Sequence, residues 1–294
     1  MNSYKIKYNI EYLLLRTLQE FLSLIPRTAA LKIGEISGLL LYYSGVCRKI
    51  ALKNMEHVGL WDSSQLKKIL RDLYLNIGRY ASDFLRKSSK LPPYTIQDYH
   101  YVDSAMAQGK GLIVLLAHYG NWEFLAEVFG RMVNDLNVVA KPMKNEIVDR
   151  WLAEKRDGAS VKTIFTHQAL RKMMEVMKRN GIVAILIDQH AGKHGTMVPF
   201  LGKEANTVRT VAGIARKTGC EVLAISAIME KGENSYKIVL EKPQPPDLAC
   251  KSEDECIAEY QRIHNEIISE WIRKRPEHWF GWFHKRFRGI ISYP

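Results

Sequence analysis

Cysteine is scarce in this chain: there are four, Cys47, Cys220, Cys250 and Cys256, and none lies in a C-x-x-C spacing. That excludes a disulfide-dense scaffold and offers no structural zinc motif, so a reducing compartment is the expectation. Long apolar runs are missing as well. No stretch reaches the roughly 18 uninterrupted apolar residues that a membrane-spanning helix needs. The first residues lack the basic start, apolar centre and small-residue cleavage site of a secretory leader, and none is predicted. Repeats, low-complexity tracts and long linkers are also absent, which argues against solenoids and widely separated domains.

Acidic residues are outnumbered. Forty-three Lys and Arg face 31 Asp and Glu, for a formal charge of +12. The excess is uneven: residues 1 to 56 carry eight bases against four acids, and residues 271 to 294 carry six against one. Both ends should therefore seek an anionic surface, whether nucleic acid, an acidic carrier protein or lipid head groups. The composition is 47% hydrophobic, enough for a full core in one large domain or one domain with an appendage.

Two N-terminal stretches, residues 8 to 26 and 29 to 46, are rich in Leu, Ile and Tyr but interrupted by charged and amide side chains. They read as amphipathic helices lying in a membrane interface, with Arg16, Arg27, Lys32, Arg48 and Lys49 near lipid phosphates, or as helices packed on the domain core. Residues 47 to 86 read as two more helices separated near Gly59, with Asp62 capping the second.

Beyond Pro92-Pro93 the texture changes. Strands are expected at 111 to 117, 136 to 140, 161 to 165, 182 to 187 and 221 to 229, with a further one over 235 to 241 after the turn "EKGEN". Helices are expected at 121 to 133, 145 to 156, 167 to 179, 207 to 217 and about 252 to 273. "LIVLLA" and "VAILI" show no apolar-polar alternation, as befits parallel strands covered on both faces. The fold class expected is thus α/β: a mixed, mostly parallel sheet covered by helices on both faces, with 221 to 241 adding an antiparallel hairpin at the edge. An N-terminal amphipathic, membrane-binding region (1 to 46) would precede a single α/β domain (47 to 294).

In such sheets ligands collect beyond the carboxyl ends of the strands. His118 stands there, directly after strand 111 to 117, in "HYGNWE". Gly120 allows a sharp turn, Asn121 is a good N-cap, and His118 would face the electropositive start of the following helix. From the first helical turn, Glu123 could reach an imidazole nitrogen of His118, fix its tautomer and stabilise its charged form; a cap and a surface charge would give the same spacing. Asp188 and Gln189 close the fourth strand on the ligand side, where Asp188 could position a ligand group, pair with an arginine or serve as a loop cap. Asp188, His190 and His194 have a spacing reminiscent of metal ligands, but no Cys/His cluster accompanies them and no metal is expected. Near the C-terminus, "RPEHWFGWFHKRF" interleaves aromatic and basic residues. It could stack on single-stranded nucleic acid; more in keeping with this context, Trp279, Trp282 and Phe283 would pack the core and Arg273, Arg275, Lys285, Arg286 and Arg288 would face interfacial phosphates.

Taken together, these segments carry a resemblance. "HYGNWE" (118 to 123) is similar to the H-x4-E/D motif of the glycerolipid acyltransferase superfamily, in the form found in the late, lauroyl/myristoyl-type lipid A biosynthesis acyltransferases. "RKIALKNM" (48 to 55), "AKPMKNEIVDRWLAEKRDG" (140 to 158), "DQHAGKHGTMVPFLGKEANTVRTVAGIARKTGCEV" (188 to 222) and "RPEHWFGWFHKRFR" (275 to 288) resemble further blocks of that family in the same order. Three positions depart from its usual pattern: Lys141 where Arg is common, His278 where Gln is common, and Arg209 where a small or hydroxyl residue is common. The departures leave the His118/Glu123 pair intact and bear on the acceptor.

The resemblance implies transfer of a fatty acyl group from acyl carrier protein, or coenzyme A, to a hydroxyl of a lipid A precursor at the cytoplasmic face of the bacterial inner membrane. A different glycolipid or a lysophospholipid would serve the same chemistry as acceptor. It implies His118 as general base with Glu123, an oxyanion held by N–H groups around Gly120 and Asn121 or by a nearby cation, and no cofactor. Lys141, Arg150, Arg156, Asp188 and Gln189 are the expected phosphate or acceptor contacts, although Lys and Arg on a helix are more often solvated. The partners would be the carrier, the glycolipid and the membrane surface, with no nucleic acid. In a second functional class the chain would be a non-catalytic basic protein binding acidic lipid or nucleic acid, which explains the charge and leaves His118 and Glu123 without a task.

Overall fold

The structure is a computed structural model that describes residues 3–88, 90–230, 232–247 and 252–294; Cys250, and Lys231 of the "EKGEN" turn, lie outside the described residues. In chain order the elements are α1 (Ser3–Leu24), α2 (Arg27–Ser44), α3 (Arg48–Val58), α4 (Ser63–Leu85), β1 (Tyr94–Gln97), α5 (His100–Met106), β2 (Leu112–Leu116), α6 (Trp122–Met132), β3 (Leu136–Ala140), α7 (Glu146–Asp157) and β4 (Val161–Phe165). Then come α8 (Ala169–Lys178), β5 (Ile182–Leu186), β6 (Gly195–Phe200), β7 (Lys203–Val208), α9 (Thr210–Thr218), β8 (Glu221–Met229), β9 (Tyr236–Glu241) and α10 (Glu253–Lys274).

Seven strands form one sheet in the order β1-β9-β8-β2-β5-β3-β4, and β6 pairs with β7 in a separate ribbon. Every pairing in the large sheet is parallel except β8 with β9. The expected α/β class is what the chain adopts, and its origin is visible in β2: all five residues, Leu112–Leu116, are buried, because helices cover both faces. Chain connections leaving β2 run toward β3 and β4, whereas those leaving the adjacent β5 return to β8 on the other side. The crevice where such connections diverge is the standard ligand position of open α/β sheets, and His118 and Asp188 end the two strands that border it.

Three details differ from the expectations. The hairpin β8-β9 is antiparallel as expected, but it is not the edge, since β1 adds outside β9 in parallel. Only four residues long and following two prolines, β1 gives no periodic signal. Residues 207 and 208, expected to open a helix, instead complete β7, and α9 begins at Thr210. The β6-β7 ribbon turns at Leu201 and Gly202, both at positive φ (52° and 75°), as a two-residue hairpin loop requires.

The N-terminal helices are packed as well as exposed. Gly34 of α2 and Gly78 of α4 meet so closely that a Cβ on Gly78 would lie 1.9 Å from the Gly34 carbonyl oxygen, so neither position has room for a side chain. Arg27 clamps the same helix pair through Asp83, at 2.8 and 2.6 Å, and α1 reaches α7, where Asn145 donates to the Tyr8 carbonyl (3.1 Å) and Glu11 (2.9 Å). The outer faces stay apolar: Leu13 and Leu14 are each 65% exposed, Leu40 66% and Tyr43 75%. Among the described residues, no helix is long and apolar enough to cross a membrane.

Candidate active site

The segment after β2 folds into a turn because Gly120 sits at φ +66°, with Ala227 so close that a Cβ would fall 2.0 Å from its carbonyl oxygen. Asn121 then caps α6, its Oδ1 accepting the Phe124 N–H at 3.0 Å while its Nδ2 donates to the Tyr236 hydroxyl at 2.8 Å. The C-terminal segment clamps this turn. Phe280 N–H donates to the His118 carbonyl (2.7 Å) and Gly120 N–H to the His278 carbonyl (2.9 Å). Trp279 and Trp282 are fully buried, which fits the core-packing reading and leaves them unavailable as a stacking surface for bases. Phe283 is partly buried and packs against the same core.

The carboxylate on His118 is Asp188, not Glu123. His118 Nδ1 lies 2.8 Å from Asp188 Oδ1, and the backbone N–H of His118 donates to Oδ2 at 2.9 Å. The indole N–H of Trp279 donates to the same Oδ2 at 2.7 Å. Asp188 is 1% exposed. Burial alone would favour its neutral form, yet the His118 charge and the three donors hold its pKa down to about 2. An ionised Asp188 requires the proton of neutral His118 to sit on Nδ1, which leaves the lone pair on Nε2, the nitrogen that faces the Gln189 amide. Burial also opposes a charged imidazole, but Asp188, and behind it Glu123, outweigh burial and raise the His118 pKa.

Glu123 is occupied differently. Arg156 of α7 grips it with two donors, Nε at 3.2 Å and an Nη at 2.6 Å, so the carboxylate stands near His118 as a fixed charge rather than bonded to it. This corrects the expected direct contact. Its cause is that Glu123 on the first turn of α6 points across to α7, whereas Asp188 enters from the neighbouring strand.

The turn N–H groups are also committed elsewhere: that of Gly120 to His278, and that of Asn121 to the Ala227 carbonyl at 2.8 Å. Neither remains for an oxyanion. Gln189 supplies another donor, its Nε2 lying 3.2 Å from His118 Nε2 and 2.8 Å from His284 Nε2. Trp122 presents an edge to the His118 ring at 5.1 Å between centroids.

His118 opens on a cavity of about 730 Å³. Apolar residues of β3 and β5, among them Val138, Val139 and Leu186, line it, and Lys141, Arg156, Glu123, Gln189 and His190 are among its polar positions. Arg150, also expected at the site, is exposed on α7 and does not line this cavity.

A model of the bacterial lipid A biosynthesis acyltransferases matches residues 3–289. The chain belongs to that family. It is also similar to two curated phosphatidylinositol mannoside acyltransferases of Mycobacterium tuberculosis, from strains CDC 1551 / Oshkosh and ATCC 25618 / H37Rv. Each is 21% identical over 198 residues, 66% of this chain and 60% of theirs. The match therefore spans about three fifths of the length of those relatives.

Of the basic residues expected at the surface of this family member, Arg286 is the exception. It is fully buried and donates to Thr207 Oγ1 (2.8 Å) and the Gln189 carbonyl (3.3 Å), while its guanidinium lies over Phe200. Burial brings its pKa down to about 10. It braces the loop that carries Gln189. Arg273 and Arg275 pair with Glu266 and with Glu230 and Glu277; Lys285 and Arg288 stay exposed. The departure at His278 is a core feature: its Nδ1 meets the Tyr80 hydroxyl at 2.8 Å, and burial takes its pKa down to about 3. Arg209 contacts Thr196 (3.3 Å) and pairs with Asp254. His284, Trp122 and Trp279 adjoin the site without having been singled out for it, since only the fold carries the C-terminal segment beside "HYGNWE".

Proposed function

We propose that the chain transfers a fatty acyl group from a thioester donor, acyl carrier protein or coenzyme A, to a hydroxyl of a lipid A precursor. The observation that supports this most is the buried Asp188 fixing His118 with its lone pair on Nε2, in the wall of a largely apolar cavity. An alcohol is too weak an acid to attack a thioester unaided at neutral pH. His118 Nε2 takes its proton as the hydroxyl oxygen attacks the carbonyl, a role worth roughly 10² to 10⁴ in rate. Asp188 and the fixed charge of Glu123 stabilise the imidazolium. When the tetrahedral intermediate collapses, the carbon–sulfur bond breaks and the imidazolium returns the proton to the leaving thiolate.

With the turn N–H groups engaged, the Gln189 amide is the donor we assign to the oxyanion: when the substrate hydroxyl takes over His118 Nε2, the N–H that Gln189 gives that nitrogen is freed to turn to the oxyanion. The apolar walls of β3 and β5 take the acyl chain, and Lys141 and Arg156 at the rim suit anionic groups of the acceptor or donor. The exposed apolar faces of α1 and α2 would rest on the cytoplasmic side of the inner membrane, where a lipid acceptor is found. A second acceptor class, a mannosylated phosphoinositide, is favoured by the similarity to the mycobacterial phosphatidylinositol mannoside acyltransferases. Purified protein given a radiolabelled acyl thioester and each glycolipid tests the reading: labelled product lipid with one acceptor supports it and identifies the class, and label recovered only as free acid with every acceptor overturns it.

A further inference from the structure

Two substrates must meet at His118, and the first cavity offers apolar walls for an acyl chain with Lys141 and Arg156 at its rim. A second recess of about 540 Å³ adjoins it, lined by Gln189, His190, Gly192, His284, Lys285 and Arg288. Gln189 and His190 line both, so the two spaces are neighbours across the residue that meets His118 Nε2. Their side chains differ. Where the first is mostly apolar, the second has two cations, two imidazoles and no carboxylate among its lining residues.

The donors are available. His190 is held in the wall, its Nδ1 accepting the Gly192 N–H at 3.0 Å. His284 accepts from Gln189 through Nε2 at 2.8 Å, so in its neutral form Nδ1 carries the hydrogen. Its ring centre is 5.7 Å from that of His118. Lys285 is exposed; its Nζ touches the Pro294 O at 3.1 Å and lies over the Tyr293 ring. No ion pair engages Arg288 among the described residues. Burial, and after it the charges of Arg286 and Arg288, disfavour protonation of His190.

We infer that this recess binds a phosphate ester of a substrate, on the far side of Gln189 from the acyl chain, so that the two reacting groups converge on His118 Nε2. The inference rests on the acyl-transfer reading, in which the charged groups offered are the phosphodiester of the donor's phosphopantetheine arm and the phosphate of a glycolipid acceptor. A planar guanidinium beside an ammonium is the pairing that holds such a group.

Calorimetry on the full chain separates these sources without requiring turnover. The probes are 4′-phosphopantetheine against pantetheine, and hexosamine 1-phosphate against hexosamine. One phosphorylated member is expected to bind about tenfold or more tightly than its partner, and the pair showing the preference tells whether donor or acceptor is held. The preference should vanish in Lys285→Ala/Arg288→Ala, both exposed positions, and persist in Arg150→Ala. Equal binding within both pairs, or a preference unchanged in the double variant, overturns the inference. Phosphate binding here in a chain that transfers no acyl group to any glycolipid would instead refute the acyl-transfer reading and leave this site standing.

Discussion

Asp188→Asn is the substitution whose outcome the geometry specifies most closely. Two N–H groups, from the His118 backbone and the Trp279 indole, converge on one carboxylate oxygen, Oδ2, and the imidazole Nδ1 meets the other. An asparagine has one oxygen and one NH₂. Its oxygen satisfies two donors only at the Oδ2 position, so its NH₂ must face Nδ1. The imidazole then accepts at Nδ1 and carries its proton on Nε2, where the base should be. The shape is preserved and the tautomer is wrong, a change worth about 10³ to 10⁴ in kcat. Replacing a charge-assisted hydrogen bond at a buried site should cost about 1–3 kcal/mol of stability, too little to unfold the chain. Acyl transfer from a labelled thioester gives the rate, and the nitrogen chemical shifts of the imidazole give the tautomer. A variant within tenfold of the wild-type kcat, or one retaining the Nδ1–H form, would refute the assignment of Asp188 as the group that sets the base.

Glu123→Ala should release Arg156 as an uncompensated cation beside His118, lower the His118 pKa and cut kcat by about 10²; Glu123→Ala/Arg156→Ala should be no slower than the single variant, and additive losses in this kinetic cycle would show that Glu123 acts independently of Arg156. Because His118 must be neutral to accept a proton and its pKa is raised, kcat/KM should climb with pH through an inflection above 6.5, while the pair's contribution to stability, complete below the unfolded value, is lost as pH rises through the folded one; a profile flat between pH 6 and 9 contradicts the base. Gly120→Ala puts a Cβ into the Ala227 carbonyl at a positive φ and should destabilise the fold by about 2–4 kcal/mol, read as a lowered Tm. Leu13→Asp/Leu14→Asp, at positions 65% exposed, should leave Tm unchanged and weaken co-sedimentation with anionic vesicles by about a hundredfold or more, since each buried leucine contributes about 1.5–3 kcal/mol; unchanged sedimentation would remove α1 from the membrane contact.

Sequence patterns mark the sheet wherever strands are buried on both faces, as in "LIVLLA" and "VAILI", because a short continuous apolar run is what burial on both faces requires of a strand. They are silent for β1 and for the β6-β7 ribbon, whose strands are short or polar and are defined by pairing with distant partners. At the site, the position of His118 is legible, since a histidine directly after a buried strand must stand at its carboxyl end. Its partner is not. Asp188 is 70 residues away and becomes a neighbour only through the pairing of β2 with β5. The nearer Glu123 has the better local spacing and loses to Arg156, a tertiary competitor. The N–H groups of Gly120 and Asn121 look open in the sequence for the same reason, and the C-terminal clamp and the Ala227 strand occupy them in the fold.

One comparison reaches the central claim directly: wild type and His118→Ala, each with a confirmed Tm and equal vesicle binding, incubated with a radiolabelled acyl thioester and glycolipid. Labelled product lipid from the wild type, and a rate reduced by at least about 10² in the variant, is the expected result. Equal labelling by the two proteins would contradict the assignment of His118 as the base.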